Sequence, residues 1–549
     1  MGKIVVLPKE VAGKIAAGEV VESTAGVVKE LVENALDAKA SEINIEIENG
    51  GIDKIRVVDN GTGMAAGDLA KCFERYATSK LPSGFDLGNI RFFGFRGEAL
   101  PSIASVSKIV ARSKNPAGKF GNFVEVIAGS VARTGKVGMP TGTDITVSDL
   151  FYNTPARKKF LKQPASEYRR ILDVVGGFAL AFPKTRITLS HNGKVVLEFW
   201  KNTSTEDRLG AVLGNYALSQ LISVAGDFPY VSITGFVCRP QLATKSKSKQ
   251  FVFVNNRRVA PELLSRVVKA AYGNLLSPNT HPVFVLFLRV PYNIVDVNVH
   301  PRKEEVRFAN AAEISKCVEE LVLYSLQKND LTYITQGFDL LNKSLAKSPA
   351  PKDSGFALED AEILQVHNMY LIKPTPTGLE IYDQHAAHER VLYERFLESF
   401  EGALGKSASS ALQVPVALNL SAADVQLMRE NADVFNSLGF CVEDFGDNAF
   451  KVSAVPAILQ DRNVVGLVVA VLDDLAADRA AASVDAKSKL AISYLACRSA
   501  IKSGDPLSLA QRQQLLFDVG CTKTKYTCPH GRPVKIEVSM KELNKLFKR

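Results

Sequence analysis

The sequence has no apolar run long enough to cross a bilayer. Its longest runs, such as residues 464–472, extend about nine residues, against the roughly 20 that a membrane helix needs. The first residues lack the basic, apolar and cleavage-site order of an export signal, so the expected location is cytoplasmic, with no membrane partner. Cysteines are few and odd in number, seven, and scattered, which argues against a disulfide framework. Cys72, Cys238, Cys317, Cys441 and Cys521 read as reduced packing residues. Internal repeats and sustained low-complexity tracts are missing too. Two nucleotide motifs fail on inspection. Gly13-Lys-Ile-Ala-Ala-Gly18 has phosphate-loop spacing, but Glu19 stands where the phosphate-binding lysine belongs. Gly61-Thr-Gly63-Met-Ala-Ala66 follows a strand, yet no second strand ending in an acid comes about 20 residues later, as a dinucleotide site requires.

What is present is a long chain able to build several cores. At 549 residues, 46% of them hydrophobic, it is expected to hold about three or four domains. Lysine and arginine exceed aspartate and glutamate by 67 to 58, giving a net charge of +9 and a pI near 9.0. That balance favours a polyanionic partner such as DNA, although a generally basic proteome gives the same excess.

The most informative stretch is Glu30-Leu-Val-Glu-Asn34-Ala-Leu-Asp37, where Val27, Val28, Leu31 and Leu36 recur at helical spacing. Glu30 and Asn34 therefore share a helix face. A carboxylate one turn from a carboxamide can polarise water while the amide holds hydrated Mg²⁺, as hydrolysis of a nucleoside triphosphate requires. Taken alone, the same face is that of a solvated amphipathic helix. Downstream, a strand over residues 54–58 runs into Asp59-Asn60-Gly61-Thr62-Gly63, placing a carboxylate that can accept from an exocyclic base amine beside a glycine turn. Arg75-Tyr-Ala-Thr78-Ser-Lys80 follows. Then come Gly94-Phe-Arg-Gly97-Glu-Ala-Leu100, able to offer backbone N–H groups to phosphate, and Gly142-Thr143 before an alternating strand. In this order the motifs resemble the GHKL ATPases. The resemblance implies ATP and Mg²⁺ as ligands, with Glu30 as the base that activates water. It assigns ATP binding to Asn34, Asp59, Gly63, Thr78, Gly94, Arg96, Gly97 and Thr143.

The expected fold class is α/β (α+β). Residues 1–210 are read as the ATPase sandwich and residues 211–330 as a strand-rich second α/β domain. Arg157, Lys158 and Lys159 lie among apolar residues at a helix start, and Arg257 and Arg258 flank a strand near Lys245, Lys247 and Lys249. These are candidate DNA-phosphate contacts, against the plainer readings of a solvated face and a charged sheet edge. Val297-Asn-Val-His-Pro301 with Lys303, together with Ala16-Ala-Gly-Glu-Val20 and Phe151-Tyr-Asn-Thr-Pro155, narrows the resemblance to the MutL branch. There the second domain is a transducer, and Lys303 is implied as the lysine on the γ-phosphate.

Residues 331–355, rich in Pro, Ser and Lys toward the end, are read as a linker. Its core of about 14 residues reaches only some 45 Å when stretched. Residues 356–549 form the expected C-terminal domain, with an inserted subdomain over about 405–495. Asp383, His385 and Glu389 fall close together at a strand end entering a helix, Cys497 comes later, and Cys528-Pro-His530-Gly-Arg-Pro follows. Thiolate, imidazole and carboxylate at short spacings suit Zn²⁺ or Mn²⁺. The set, with Phe547-Lys-Arg549, resembles the nuclease domain of nicking MutL, which makes Asp383 and Glu389 expected catalytic residues. The resemblance further implies a homodimer on duplex DNA, partnered by a MutS-type mismatch sensor and associated with the nucleoid. The sliding-clamp motif is degenerate: Val414-Pro415 is present, but Ser410 replaces the leading glutamine and Gln413 is displaced. The competing expectation is a non-catalytic ATP-dependent matchmaker with a structural zinc.

Overall fold

The computed structural model describes residues 21–80, 92–94, 97–260, 262–276, 280–296, 306–329, 363–402, 409–446, 448–459, 463–477, 484–501 and 504–546. Arg96, Lys303, the motifs at residues 13–20 and 297–301, all of the 331–355 segment and residues 547–549 lie outside them. The chain forms two compact units, chiefly Met1–Ala243 with Lys247–Asn329, and Asp330–Asn419 with Leu427–Arg549.

In the first unit, the alternation of Glu42-Ile-Asn-Ile-Glu-Ile-Glu48 makes strand β1 (Glu42–Glu48), with Ile43, Ile45 and Ile47 all buried on one face. It pairs with β2 (Lys54–Asp59) within an eight-stranded sheet. The other strands are β3 (Lys108–Lys114), β4 (Gly121–Ile127), β5 (Ser130–Val137), β6 (Gly142–Ser148), β7 (Arg186–His191) and β8 (Lys194–Phe199), in the order β5-β4-β3-β6-β2-β1-β7-β8. Only β1 and β7 run parallel. The β2–β6 register sets Asp59 opposite Thr143, so two residues 84 positions apart become neighbours at one sheet end. Helix α1 (Thr24–Asp37) starts at Ser23, whose hydroxyl accepts from the Gly26 N–H, and buries Val27, Val28, Leu31, Val32 and Ala35. Helix α2 (Pro164–Ala181) packs beside it, and buried Glu167 accepts from the Thr24 hydroxyl at 2.8 Å. Arg208, on the helix Thr205–Leu213, is 1% exposed and donates to the carbonyls of Ala179, Phe182, Pro183, Thr185 and Trp200. One guanidinium thus satisfies the carbonyls at the end of α2 and the turns beyond it.

The second sheet contains β9 (Leu221–Phe228), β10 (Val231–Cys238), β11 (Gln250–Val254), β12 (Arg257–Val259) and β13 (Phe284–Arg289), ordered β12-β11-β13-β10-β9. Strands β11 and β12 form a hairpin with a two-residue turn, Asn255-Asn256, both at positive φ (49° and 65°). Two-residue strands β14 (Val295–Asp296) and β15 (Arg307–Phe308) pair before helix α3 (Ala311–Lys328).

The second unit holds a four-stranded antiparallel sheet, β16 (Leu364–Val366), β17 (Tyr370–Thr375), β18 (Gly378–Asp383) and β22 (Lys535–Ser539). Strand β18 runs straight into helix α4 (Gln384–Gly402). A separate sheet, β19 (Ser409–Asn419), β20 (Cys441–Gly446) and β21 (Ala449–Pro456), comes from the expected insert. Helix α5 (Val484–Ser499) packs on α4 and so runs through the expected end of that insert at residue 495. Helix α6 (Leu509–Cys521) starts with a capping box at Ser508 and Gln511. No helix among the described residues is long and apolar enough to cross a membrane.

Replacing Arg208 by Met keeps the bulk but takes the guanidinium from five carbonyls, of which those of Phe182, Pro183 and Trp200 keep a second donor in the Thr185 N–H, the Asn202 N–H and the Thr203 hydroxyl. The expected cost is about 2–4 kcal/mol, because the Ala179 and Thr185 carbonyls lose the guanidinium that pairs them. A thermal melt of the full chain should show the earliest transition several degrees lower, and an unchanged melt would show that water replaces the guanidinium freely.

Candidate functional site

A cavity of about 1000 Å³ opens over the face of α1 and the ends of β2 and β6. Glu30, Asn34, Asp37, Asp59, Gly63, Thr78, Lys80, Gly94, Gly97 and Thr143 all line it. The structure therefore brings together every expected nucleotide residue among those described. At one end, Asp59 accepts from the Gly61 N–H at 2.8 Å, and burial, only partly offset by the Gly61 and Thr143 N–H groups, pushes its carboxyl up to about 6. Gly63 and Gly97 hold positive φ, and a Cβ on either would strike a backbone carbonyl, that of Lys114 or of Ala77. Backbone can approach this closely only without side chains.

At the other end, the Lys80 ammonium bridges Asn34 Oδ1 (2.9 Å) and Asp37 Oδ2 (2.6 Å). The N–H groups of Phe93 and Gly94 donate to the same Asp37 carboxylate at 3.0 and 3.1 Å. A cation thus already sits on the amide and carboxylate oxygens, the donor set that suits Mg²⁺. Asp37 and Lys80 were absent from the expected ATP set, although Asp37 lies one turn beyond Asn34 and Lys80 closes the quoted Arg75–Lys80 stretch.

The basic residues divide. Lys158 and Lys159 are exposed on the short helix Pro155–Phe160 beside Phe160, which is 85% exposed, while Arg157 is half-buried. Arg257 requires correction: it is 8% exposed and turns inward, donating to the Phe92 and Phe93 carbonyls, so it offers nothing to a DNA phosphate. Arg258, its neighbour on the opposite strand face, is held by both Asp173 carboxylate oxygens at 2.8 and 3.1 Å, which neutralises it.

In the second unit, Glu389, Cys528 and His530 place one ligand atom each within 4.8 Å of one another. Glu389 projects from α4 and is fully buried. Cys528 and His530 lie on a tight turn, closed by the Cys528 N–H on the Arg532 carbonyl and the Gly531 N–H on the Cys528 carbonyl. His530 Nδ1 lies 2.5 Å from Glu389 Oε1, yet that oxygen makes no aligned hydrogen bond. The other oxygen accepts from Arg532 at 3.3 Å. Burial raises the Glu389 carboxyl, but His530 and Cys528 outweigh it and hold the group down to about 2. Cys528 and Glu389 lift His530 to about 9. Burial and the Glu389 charge push the Cys497 thiol up to about 12. A buried carboxylate oxygen without an aligned donor, beside a thiol and an imidazole, fits a divalent cation that accepts mixed ligands.

The other expected ligands sit around this group. His385 is one turn before Glu389, and its Nδ1 meets the Ile501 carbonyl at 2.6 Å, while the Ile501 N–H donates to His388 Nδ1 at 2.9 Å. That pairing leaves His385 Nε2 as the lone-pair nitrogen, the arrangement common in metal-binding histidines. Cys497 approaches Glu389 from α5. Asp383 stands outside the three-residue group, and one of its oxygens caps α4 by accepting from the Ala386 N–H at 2.9 Å. Arg532 was overlooked, although it stands in the quoted Cys528–Pro533 run. Val414, of the degenerate clamp motif, is 75% exposed where the β19–β21 register shifts.

Comparison with known proteins matches three stretches to families. Residues 21–137 match the histidine kinase-, DNA gyrase B-, and HSP90-like ATPase family, residues 209–327 the DNA mismatch repair protein, C-terminal domain, and residues 363–507 the MutL C terminal dimerisation domain. A protein named DNA mismatch repair protein MutL from Desulforudis audaxviator is 36% identical, with all of both chains covered. Its namesake from Pelotomaculum thermopropionicum is 35% identical, again over both whole chains. A solved N-terminal domain of a DNA repair protein covers 58% of this chain and 99% of its own, with a TM-score of 0.51 and 24% identity, a likeness of fold alone. With relatives of this identity aligned from end to end, the chain belongs to the MutL family of DNA mismatch repair proteins.

Proposed function

We propose that this chain is an ATP-dependent mismatch repair mediator of the nicking type, a homodimer that couples mismatch recognition by a MutS-type partner to incision of one strand of duplex DNA. The observation that carries the incision reading is the convergence of Glu389, Cys528 and His530, with Glu389 Oε1 2.5 Å from His530 Nδ1 but in no aligned hydrogen bond. In the nucleotide cavity, Asp59 accepts from the base amine, while Asn34 supplies an amide oxygen for Mg²⁺. Glu30 polarises the attacking water, and the backbone around Gly94 and Gly97 faces the phosphates. Arg96 and Lys303 complete the phosphate contacts in this reading. Thr78 and Thr143 line the same cavity as polar wall residues.

In the second unit, Glu389, Cys528 and His530 are the proposed first ligands, with His385 and Cys497 completing the set for Zn²⁺ or Mn²⁺. Such an ion, when bound, supplies a Lewis acid and an activated water for phosphodiester hydrolysis. The chain's own part is to hold a fixed carboxylate and imidazole, and to place the Arg532 guanidinium where a phosphate can meet it. Lys158 and Lys159, with exposed Phe160, are the proposed backbone contacts to DNA, which makes binding independent of sequence and steeply salt-dependent. A matchmaker with a purely structural zinc is the second reading, favoured by the deep burial of Glu389 and its bond to Arg532.

The two hydrolytic centres should separate by mutation. Glu30→Ala is expected to lower ATP turnover at least about 100-fold, the range for losing a positioned base, while Mn²⁺-dependent nicking of supercoiled plasmid continues. Glu389→Gln is expected to do the reverse, with the dimer retained by light scattering. Nicking that persists in folded Glu389→Gln would leave the ion structural and favour the matchmaker.

The Asp59 carboxyl, ordinarily near 3.8 and raised here to about 6, gives a pH prediction. The carboxylate is a stronger acceptor for the base amine than the neutral acid, so ATP affinity should fall as pH drops below about 6, by at most tenfold per unit. Asp59→Asn should bind weakly with a flatter profile, a comparison that removes the titration of ATP itself. Because the folded value is the higher one, the charged form costs stability, on the order of 3 kcal/mol once pH exceeds about 6 and vanishing below about 4. Asp59→Asn should therefore melt higher than the parent at pH 7.5 and similarly to it near pH 3.5. Equal melting differences at both values would show that Asp59 is not held in this state.

A further inference from the structure

The inward turn of Arg257 joins the second sheet to the nucleotide cavity. Its place is fixed by the β11–β12 hairpin, whose two-residue turn sends Arg257 and Arg258 to opposite faces. Asn255 anchors the turn, donating to the Val290 carbonyl at 2.8 Å and accepting from the Val290 N–H at 3.0 Å. From there the Arg257 guanidinium meets the Phe92 carbonyl at 2.9 Å and the Phe93 carbonyl at 3.4 Å, and lies 5.0 Å from the centre of the Phe93 ring. The peptides it grips are those whose N–H groups, at Phe93 and Gly94, donate to Asp37. Asp37 in turn shares Lys80 with Asn34. An unbroken hydrogen-bonded path thus runs from a strand of the second sheet to the amide proposed to hold Mg²⁺.

We propose that Arg257 is a positioning residue for ATP hydrolysis. By fixing the carbonyls of residues 92 and 93, it aims the next two N–H groups at Asp37 and so sets how tightly Asp37 holds Lys80 against an incoming cation. The physical case rests on alignment and charge. A peptide gripped at its carbonyl by a guanidinium is a stronger and better-oriented N–H donor. Two such donors spread the Asp37 charge and weaken its hold on Lys80, which frees Asn34 and Asp37 oxygens for Mg²⁺. Burial lowers the arginine's proton affinity, and the charges of Glu33, Asp37 and Glu30 offset this in part, which helps an arginine to be tolerated here. Without Arg257, Asp37 loses its oriented donors and leans on Lys80, so Mg²⁺–ATP must displace a tighter ion pair.

This inference rests on the ATPase reading, and the test separates the two. Steady-state ATP hydrolysis by the full chain is measured against Mg²⁺–ATP concentration for the parent, Arg257→Gln, Arg257→Lys, Asp37→Asn and the double variant Arg257→Gln/Asp37→Asn. Loss of one charge-assisted clamp predicts a KM raised roughly 5- to 50-fold in Arg257→Gln with kcat changed less, and partial recovery in Arg257→Lys. In the Asp37→Asn background, Arg257→Gln should have almost no further effect, because its route passes through Asp37. An unchanged KM in Arg257→Gln, or effects that simply multiply in the double variant, overturns the proposal. Should Arg257→Gln fail to fold, Arg257→Lys decides alone: a raised KM supports the role and a parental KM overturns it. A parent chain without ATPase activity overturns the underlying reading instead.

Discussion

Burying a carboxylate requires a compensating cation, and the candidate chemistry of this chain is organised around that demand. An uncompensated buried charge costs several kcal/mol, more than a marginally stable fold can leave unanswered. In the first unit the acidic face of α1 is answered by Lys80 at 2.6 Å from Asp37 and, through the peptides of residues 92–94, by Arg257. In the second, fully buried Glu389 is answered by His530 and Arg532. In the proposed reading, Lys80 and Arg532 are the cations that a metal ion would displace, while Arg257 stays as a clamp and His530 stays as a ligand.

The folds serve this arrangement by delivering functional groups at the ends of regular elements. Strand β2 ends on Asp59, its register with β6 adds Thr143, and α1 lays Glu30, Asn34 and Asp37 along one face of the same cavity. Strand β18 passes into α4 without a break, which carries His385 and Glu389 down from the sheet, and the hairpin-like turn at residues 528–531 closes over Glu389. Rigid elements fix positions that loops alone hold less well.

Much of this was legible in the sequence where a local pattern determines the structure. The isoleucine alternation of β1 and the apolar spacing of α1 settle their buried faces, and with them the side on which Glu30 and Asn34 stand. Convergence of Cys528 and His530 on Glu389 was foreshadowed by chemistry and by resemblance to relatives. Arg257 was not legible, because two adjacent arginines on a strand look alike in sequence while the Asn255-Asn256 turn decides which one faces inward. Asp383 reads as a ligand by its residue type, but at a strand-to-helix junction the N-cap competes for the same oxygen, and the Ala386 N–H holds one of them. Helix α5 escaped the expected division because its packing partner, α4, lies some hundred residues earlier in the chain.

The central claim is that buried carboxylates here are completed by exchangeable cations, and it is tested most directly at Glu389. Zinc-edge X-ray absorption on the full chain, loaded with one equivalent of Zn²⁺ and freed of excess, reads the ligand shell without relying on activity. The account predicts a mixed shell, with sulfur from Cys528 at about 2.3 Å and nitrogen or oxygen at about 2.0–2.2 Å. A shell of nitrogen and oxygen without sulfur, or zinc lost on gel filtration, would contradict it.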